Sequence, residues 1–221
     1  MEKFEILLGN EKVTCVVTYK NMRSIRMRVK EKQIVISAPC ATSRRFLLQL
    51  IKQHQAKLLS QIQQYTPYYE YVDQGYVFIF NQKYQICLRD VGQMKCQIHD
   101  HQIYVYHHSI QKCIEAYLKQ ILYDYLEKRI KDYLQTDYCL PMPDIEIKKY
   151  KGRWGSCFYE KNKVSFNLSL VYLRKELIDY VIVHELTHFL QPNHSPQFYY
   201  EVAKRLPDYK YRQDCLKEEH V

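Results

Sequence analysis

Apolar and polar residues alternate through the first part of the chain, which is the pattern of strands with one buried face. The alternation covers residues 13–36 and predicts short strands joined by turns, with a hairpin around residues 30–33. The apolar spacing then changes to that of a helix, which Thr42 or Ser43 caps and which continues to Ile62.

Three more alternating segments predict strands at residues 76–80, 84–88 and 103–106. The N-terminal part is therefore β-rich, with the single helix that ends at Ile62. In that helix His54 falls within the apolar stripe, which predicts a packed histidine. The four histidines at positions 99, 101, 107 and 108 are spaced as on strands and loops, so we expect surface residues rather than a ligand set.

Helical spacing returns in the second half of the chain. It predicts a long helix over residues 109–134, which two prolines separate from a strand at residues 144–148. A hairpin follows, with one strand after Trp154 and the other around Phe166. It stands directly before a helix whose apolar residues 180–183 predict burial in the centre of a domain.

This mixture of strands and helices predicts an α+β chain. We expect a β-rich part with one helix over residues 1–108 and a second part over residues 109–221, together forming one compact unit. Because no apolar run is long enough for a membrane span or a signal peptide, the sequence predicts a cytoplasmic protein with no membrane partner. The eight cysteines contain no Cys-x-x-Cys pair, and in a reducing compartment most are expected to be small buried residues.

The formal net charge of +9 raises the question of a nucleic-acid partner. Basic residues are spread along the chain, and the tight cluster among them is Arg23, Arg26, Arg28 and Lys30. Alternation in a strand places Arg26, Arg28 and Lys30 on one face. Such a face is more often simply solvated than bound to phosphate, so we favour the solvated face.

The helix that contains residues 180–183 continues into the sequence His184-Glu185-Leu186-Thr187-His188. Residues four apart in an α-helix lie one turn above each other, so His184 and His188 can direct their imidazoles to one metal ion. Zn²⁺ takes neutral imidazoles, and a catalytic zinc site keeps one position open for water. Because zinc lowers the pKa of that water towards ~7, a neighbouring carboxylate can take its proton. The pattern therefore predicts a zinc site with Glu185 as the catalytic base.

His194, six positions further on, is the predicted third ligand. Pro192 cannot continue the helix, and Asn193 tolerates the left-handed conformation of a chain reversal, so His194 can point back at the first two histidines. Ser195 then caps a following helix. Glu201 in that helix is the rival ligand, which we rank lower because a lone helical glutamate is usually a solvated residue.

Four segments carry a resemblance to a known family: residues 153–157 (Arg-Trp-Gly-Ser-Cys), 166–167 (Phe-Asn), 180–186 and 193–195. They resemble the YgjP-like metallopeptidases, zincin-like HExxH proteins related to the SprT-like and WLM zinc proteases. The resemblance extends over nearly the whole chain. It implies a zincin-like fold, with zinc held by His184, His188 and His194 and with Glu185 as the base.

The chain departs from the family pattern at three positions. Gly152 stands where serine is usual, Thr187 where alanine is common, and Tyr199 where tryptophan usually follows a phenylalanine. None of these is a predicted ligand, so the departures concern the substrate pocket rather than the metal.

The hairpin is the expected substrate shelf, because zinc peptidases commonly hold an extended substrate against a strand edge. The candidate substrate-binding residues are Arg153, Trp154 and Tyr199. Trp154 is equally well explained as a core anchor, and Cys157 either fills a small buried space or approaches the metal. Tyr199, Tyr200 or Arg153 can donate to the oxyanion that forms during hydrolysis.

The motif predicts a metal and an activated water but not the bond that is cleaved. The expected function is a zinc-dependent hydrolase that acts on polypeptide substrates. A nucleotide pyrophosphatase with the same zinc site is one alternative, since some family members carry that label, although the chain has 5 glycines and no glycine-rich phosphate loop. A DNA-associated protease, as among the SprT-like relatives, is the other alternative and would make nucleic acid a partner.

Overall fold

The computed structural model describes residues 1–219. The chain forms two compact units, Met1–Pro67 and Tyr68–Val221, each with its own hydrophobic core. The sequence pattern places the boundary between the two parts at residues 108/109 instead, because all the strands predicted before that point show the same alternation of apolar and polar residues. In the structure the strands after residue 68 belong to the second unit.

The first unit is a four-stranded sheet whose apolar face packs against two helices. Its elements are β1 (Glu2–Leu8), β2 (Glu11–Lys20), β3 (Arg26–Lys30), β4 (Gln33–Pro39), α1 (Arg44–Gln53) and α2 (Gln55–Gln64). The strand order is β1-β2-β4-β3, and β2 and β4 are parallel while the other neighbours are antiparallel. Ser43 caps α1, because its hydroxyl accepts a hydrogen bond of 3.3 Å from the Phe46 N–H.

The single helix expected up to Ile62 is two helices, since the chain turns at His54 between α1 and α2. The turn allows Leu47 of α1 and Leu58 of α2 to reach the same core. His54 is exposed at this turn, so the prediction of a packed histidine is wrong. Helical spacing continues across the turn, which is why the pattern did not reveal it.

The second unit begins with a five-stranded sheet. Its strands are β5 (Tyr69–Glu70), β6 (Tyr76–Ile79), β7 (Gln82–Leu88), β8 (Cys96–His99) and β9 (Gln102–Val105), in the order β5-β6-β7-β9-β8. The strand β8 has no counterpart among the predicted elements, because its short run of mixed residues carries little alternation. His99 and His101 are exposed, as expected of surface residues.

The remaining elements form the helical part and a three-stranded sheet. They are α3 (Ile110–Tyr133), a π-helical turn (Leu134–Tyr138), β10 (Asp144–Lys148), β11 (Gly155–Phe158), a 3₁₀ turn (Tyr159–Lys161), β12 (Lys163–Asn167), a second 3₁₀ turn (Leu168–Tyr172), α4 (Lys175–Thr187), α5 (Pro196–Arg205) and α6 (Tyr209–Glu218). The sheet order is β10-β12-β11, so β11 is an edge strand. The expected long helix and the hairpin of β11 and β12 are both present, and the α+β class is confirmed.

The helix α4 lies in the core of the second unit. Its C-terminal turn is tied to the π-helical turn, because the Tyr138 hydroxyl lies 3.0 Å from the Val183 carbonyl oxygen and 2.8 Å from the Thr187 hydroxyl. Thr187 also donates to Val183 at 2.7 Å. The threonine that departs from the family pattern is therefore a fully buried link between two helices. None of the helices among residues 1–219 is both long and apolar enough to cross a membrane.

Candidate metal centre

Two elements and the turn between them bring three histidines together. His184 lies in the last turn of α4 and His188 immediately follows that helix. The chain then reverses, and Ser195 caps α5 by accepting a hydrogen bond of 3.3 Å from the Phe198 N–H, with proline at the first position of the helix. His194 lies in the connecting turn, as the helix-breaking residues predicted.

The three imidazoles form a compact cluster. Their ring centroids are 4.8–5.1 Å apart, and their ligand nitrogens all lie within 4.8 Å of one another. The fully buried Phe198 contacts every member, at centroid distances of 5.0 Å to His184, 4.7 Å to His188 and 4.8 Å to His194. Phe198 therefore supports all three rings, a role that its helical spacing in the sequence did not reveal.

The donor set fits a tetrahedral metal. The Nε2 atoms of His184 and His194 are 3.0 Å apart, close to the ~3.3 Å that separates two nitrogens bound tetrahedrally to one zinc ion at about 2.0–2.1 Å. The His188 Nδ1 lies 3.3 Å from the Gln191 carbonyl oxygen, which can only accept, so this nitrogen carries the proton and Nε2 keeps its lone pair.

Burial also favours the neutral imidazoles that metals require. It lowers the pKa of His184 to about 3, with a further contribution from the other two histidines. Burial likewise lowers the pKa of His188, assisted by His194. The His184 Nδ1 is buried and has no hydrogen-bond partner among the described residues. Burial thus favours the neutral form of His184 and His188, whereas His194 closes the cluster from its exposed side.

Glu185 lies on the side of α4 that faces the edge strand β11. Its carboxylate lies against Gly155 of that strand, and only 6% of the residue is exposed. A Cβ atom on Gly155 would lie 2.6 Å from Glu185 Oε1, so only glycine leaves room for this side chain. Burial raises the pKa of Glu185 to about 8, although the Cys157 hydrogen bond and the charge of Arg153 act in the opposite direction.

The strand register explains why the Cys157 N–H is free for Glu185. The Trp154 carbonyl accepts a hydrogen bond of 2.8 Å from the Asn167 N–H, so Trp154 forms a hydrogen-bonded pair with β12. Along an antiparallel strand every second residue pairs in this way, and the residues between them direct their main-chain groups outward. Gly155 and Cys157 are the outward residues of the edge strand.

Two cavities meet at Gly155, His184 and Glu185. The larger, about 330 Å³, is lined by these three residues and by Arg153, Trp154, Tyr180, Val181, Gln213, Leu216 and Lys217. The smaller, about 290 Å³, is lined by the same three and by Ser156, Cys157, Tyr159, His188, Pro192 and His194. Glu185 and His184 therefore lie at the junction of the two cavities, and His188 and His194 line the smaller one.

The structure brings some of the predicted substrate residues to these cavities and not others. Arg153 and Trp154 line the larger cavity beside Glu185. Tyr199 lines neither; its ring stacks with those of His194 and Tyr209 at centroid distances of 6.2 Å and 6.0 Å. Tyr200 is 63% exposed on the other side of α5 from the buried Phe198.

Two other candidate ligands, Glu201 and Cys157, lie outside the histidine cluster. The rival ligand Glu201 is bound to Arg205, whose guanidinium lies 2.7 Å from its carboxylate, and it is not part of the histidine cluster. Cys157 lines the smaller cavity, but it is not in the ligand set either. Burial and the charge of Glu185 raise the pKa of its thiol to about 12.

Sequence reasoning missed the residues that complete the larger cavity. Tyr180 stands one helical turn before His184, so its position was a usable signal. Gln213 and Leu216 belong to α6, far away in sequence, and no local pattern connects them to the site.

Two imidazoles one helical turn apart, a third from the following turn and a buried carboxylate beside them are the arrangement of HExxH metallopeptidases. The chain belongs to one family of this class: residues 23–219 match the YgjP-like, metallopeptidase domain family. This match confirms the resemblance in the sequence and agrees with a zincin-like fold.

Among solved structures, the chain is similar to the metallopeptidase zymogen of Pyrococcus abyssi abylysin, with 19% sequence identity and a TM-score of 0.40. The similarity covers 43% of this chain and 99% of that one. No curated protein sequence matches the chain.

Proposed function

We propose that the protein is a zinc-dependent peptidase in which His184, His188 and His194 hold the ion and Glu185 is the general base. One observation carries the proposal: the buried Glu185 carboxylate lies against Gly155 of the edge strand and lines one cavity together with the three imidazoles. Zinc is the ion that neutral imidazoles and a fourth open position favour. When bound, it supplies Lewis acidity and lowers the pKa of water.

Glu185 moves the proton. It takes a proton from the attacking water and delivers it to the nitrogen of the leaving amine, so the carboxylate ends the reaction as it began. Without a metal ion, burial raises the pKa of Glu185 to about 8 against the opposing effects of Cys157 and Arg153. A cation held by the neighbouring imidazoles favours the ionised form of the carboxyl, which is the form that accepts a proton.

The edge strand β11 is suited to a polypeptide substrate. Its outward main-chain groups at Gly155 can pair with an extended peptide, which supplies affinity without regard to sequence. The larger cavity then receives a side chain between Trp154, Tyr180 and Leu216. Arg153 lines the same cavity. One of its N–H groups donates to the Ser156 hydroxyl at 3.0 Å, and the other donors of the guanidinium can stabilise a substrate oxygen.

A nucleotide pyrophosphatase is the second candidate, and one observation favours it. Arg153 and Lys217 line the larger cavity together with Trp154, so two cations and a stacking surface share one space. Lys217 lies 2.8 Å from Asp214, however, and this carboxylate offsets its charge. The peptide remains the better substrate because the strand edge adjoins Glu185 directly.

One zinc-loaded preparation, tested on unstructured polypeptides and on nucleoside triphosphates, separates the two candidates. We expect polypeptide cleavage that a chelator abolishes and that Glu185→Gln lowers ~10²–10⁴-fold, the range for a general base. The amide keeps the shape of the side chain, so the variant retains its metal. Glu160→Gln, an exposed residue of the hairpin turn, is the matched control and keeps full activity.

The outcome that contradicts the peptidase is equally specific. The nucleotide pyrophosphatase replaces the peptidase as the proposed function if three results occur together. Triphosphates are hydrolysed, this activity disappears in the Glu185→Gln protein, and every polypeptide stays intact.

A further inference from the structure

The positive charge of the chain is concentrated in the first unit. Met1–Pro67 contains 12 lysine and arginine residues and 4 aspartate and glutamate residues, a formal net charge of +8. The rest of the chain contains 21 basic and 20 acidic residues, which leaves +1 of the total of +9. The even spread seen along the sequence therefore disappears once the residues are counted by unit.

Strand pairing collects part of this charge on one face of the four-stranded sheet. Residues paired across neighbouring strands share a face. Lys3 pairs with Val16, Val16 with Val35, and Val35 with Arg28, which defines one row across all four strands. In the same way Arg26 pairs with Ser37 of the adjacent strand.

Alternation along the strands extends this face. It carries the basic residues Lys3, Lys12, Lys20, Arg26, Arg28 and Lys30. The opposite face carries Cys15, Val17, Ile34 and Ile36, which are fully buried in the core with the two helices. We call the first of these the basic face.

Five cations of the basic face are available to a partner. The five are Lys3, Lys12, Lys20, Arg26 and Arg28. All are exposed, and none forms an ion pair with another residue of the part of the chain that the structure describes. Glu5 is the acidic residue that alternation puts among them. The hydroxyls of Thr14, Thr18 and Ser37 lie between the cations and can donate further hydrogen bonds to phosphate oxygens.

From this surface we infer that the first unit binds nucleic acid through its phosphate backbone. Five unpaired cations within one sheet suit a continuous row of phosphates, which binds by releasing counterions. The basic face carries no aromatic ring, since Phe4 and Tyr19 belong to the other side of the sheet. Binding is therefore independent of base sequence, because stacking and base-edge contacts have no residues to make them.

A lipid surface fits the basic face less well. The exposed large apolar residues Phe46 and Leu48 lie on α1, beside Arg44 and Arg45 of the helical layer, whereas the five cations of the basic face lie on the opposite face of the sheet. Interfacial membrane binding is strongest where apolar and basic groups share one surface. Leu7 is the one large apolar side chain exposed on the basic face among the described residues.

The test measures binding of the whole chain, residues 1–221, to a labelled DNA duplex of ~20 base pairs by fluorescence anisotropy across ~50–200 mM salt. The wild type is expected to bind in the micromolar range, with an affinity that falls steeply with salt. The variant Lys12→Ala/Arg26→Ala/Arg28→Ala should bind at least ~10-fold more weakly at low salt, and the slope of log K against log salt should be smaller by ~2.7, because each phosphate contact contributes ~0.9.

A second triple variant controls for total charge. Arg45→Ala/Lys52→Ala/Lys57→Ala removes the same three charges from exposed positions in the helices of the same unit. It should keep the wild-type slope. Since all six residues are exposed, both variants should melt at the wild-type temperature, which circular dichroism checks.

Three results overturn the inference. One is the absence of duplex binding by the wild type at ~50 mM salt, where counterion release is strong. Another is an equal loss in the two triple variants, since total charge rather than the basic face then explains binding. The third is binding to vesicles of anionic phospholipid with none to the duplex, which assigns the face to a membrane.

Discussion

The first unit exposes nearly all of its basic groups, whereas the second unit encloses several of its own in half-buried ion pairs. All 12 basic residues of Met1–Pro67 except Lys30 are exposed. In the second unit Arg205 is paired with Glu201 at 2.7 Å with its side chain 5% exposed, and Arg129 is paired with Asp179 at 2.9 Å. Exposed charges act through their sum and are screened by salt, while charges enclosed in an ion pair act mainly through one partner at one distance.

This difference predicts how each unit responds to change. A surface that acts through the sum of its charges should lose affinity gradually as single charges are removed. A site that depends on individual distances should fail when a single atom is removed or displaced.

His188→Ala should have the largest effect. It removes one of three imidazole ligands, so we expect the zinc content to fall from close to one ion per chain to near zero, and hydrolysis to disappear. The loss in metal affinity should exceed the ~10–100-fold typical of changes to residues that only support a ligand. Elemental analysis after dialysis measures it.

Two variants are the controls for this prediction. His101→Ala changes an exposed histidine outside the cluster and should keep its zinc. The triple variant of the basic face should keep it as well, although it loses three charges. Full zinc occupancy in the His188→Ala protein would remove this residue from the site.

Gly155→Ala should have the next effect in size. The added Cβ would lie 2.6 Å from Glu185 Oε1 and 2.8 Å from its Cγ, so the carboxylate must move. A displacement of about 1 Å in a catalytic group can cost ~10²-fold in rate. We expect a fall of this order in kcat with the zinc content unchanged.

Gly92→Ala is the matched control for Gly155→Ala. Gly92 has a φ of +74° and nothing within 4 Å of an added Cβ, so its replacement strains the backbone without touching Glu185. It should lower stability and leave kcat unchanged. If both variants lose the same activity, backbone disturbance explains the effect and the contact with Glu185 does not.

The contrast between the units also explains what could be predicted from sequence. The predicted ligands His184, His188 and His194 follow from helical spacing and from helix-breaking residues close to them, and the structure brings them together as expected. Local patterns carry that information because all three lie within eleven positions. The hairpin before α4 could be predicted for the same reason.

Features that depend on distant residues could not be predicted. The room for Glu185 depends on Gly155 in another strand, and the larger cavity is closed by Leu216 of α6. The basic face depends on the register of four strands, which alternation within one strand does not define. Alternation within β3 alone placed Arg26, Arg28 and Lys30 on one face, and the strand pairing adds Lys3, Lys12 and Lys20 from β1 and β2.

The third prediction concerns the stability of the metal-free protein as a function of pH. The pKa of Glu185 is raised to about 8 in the folded chain, against ~4.3 in an unfolded chain. Between these values the unfolded state binds fewer protons, so the stability of the wild type should fall as the pH rises. Glu185→Gln does not titrate and resembles the protonated carboxyl.

The variant should therefore be slightly more stable than the wild type at pH 5 and increasingly more stable towards pH 8. The difference should grow by at most ~1.4 kcal/mol for each pH unit. Urea denaturation in the presence of a chelator, repeated from pH 5 to pH 8, measures it. His184 has a shifted pKa in both proteins and cancels from the comparison. A constant difference across this range would mean that the Glu185 carboxyl titrates normally.

The smallest effect is expected from the same substitution at one fully buried and one half-buried hydroxyl, one in each unit. Thr187→Val removes a fully buried hydroxyl that lies 2.7 Å from the Val183 carbonyl and 2.8 Å from the Tyr138 hydroxyl. We expect it to lower the free energy of unfolding by ~1 kcal/mol, the usual contribution of such a hydrogen bond.

Thr18→Val removes a half-buried hydroxyl from the basic face, where no hydrogen bond to another described side chain holds it, and should change stability by less than ~0.5 kcal/mol. Thermal melts of both variants measure the difference. Equal losses of stability would show that the burial of a hydroxyl does not determine how much it contributes to folding. A larger loss at Thr18 would reverse the contrast, because the basic face would then contribute to stability rather than being free to bind a partner.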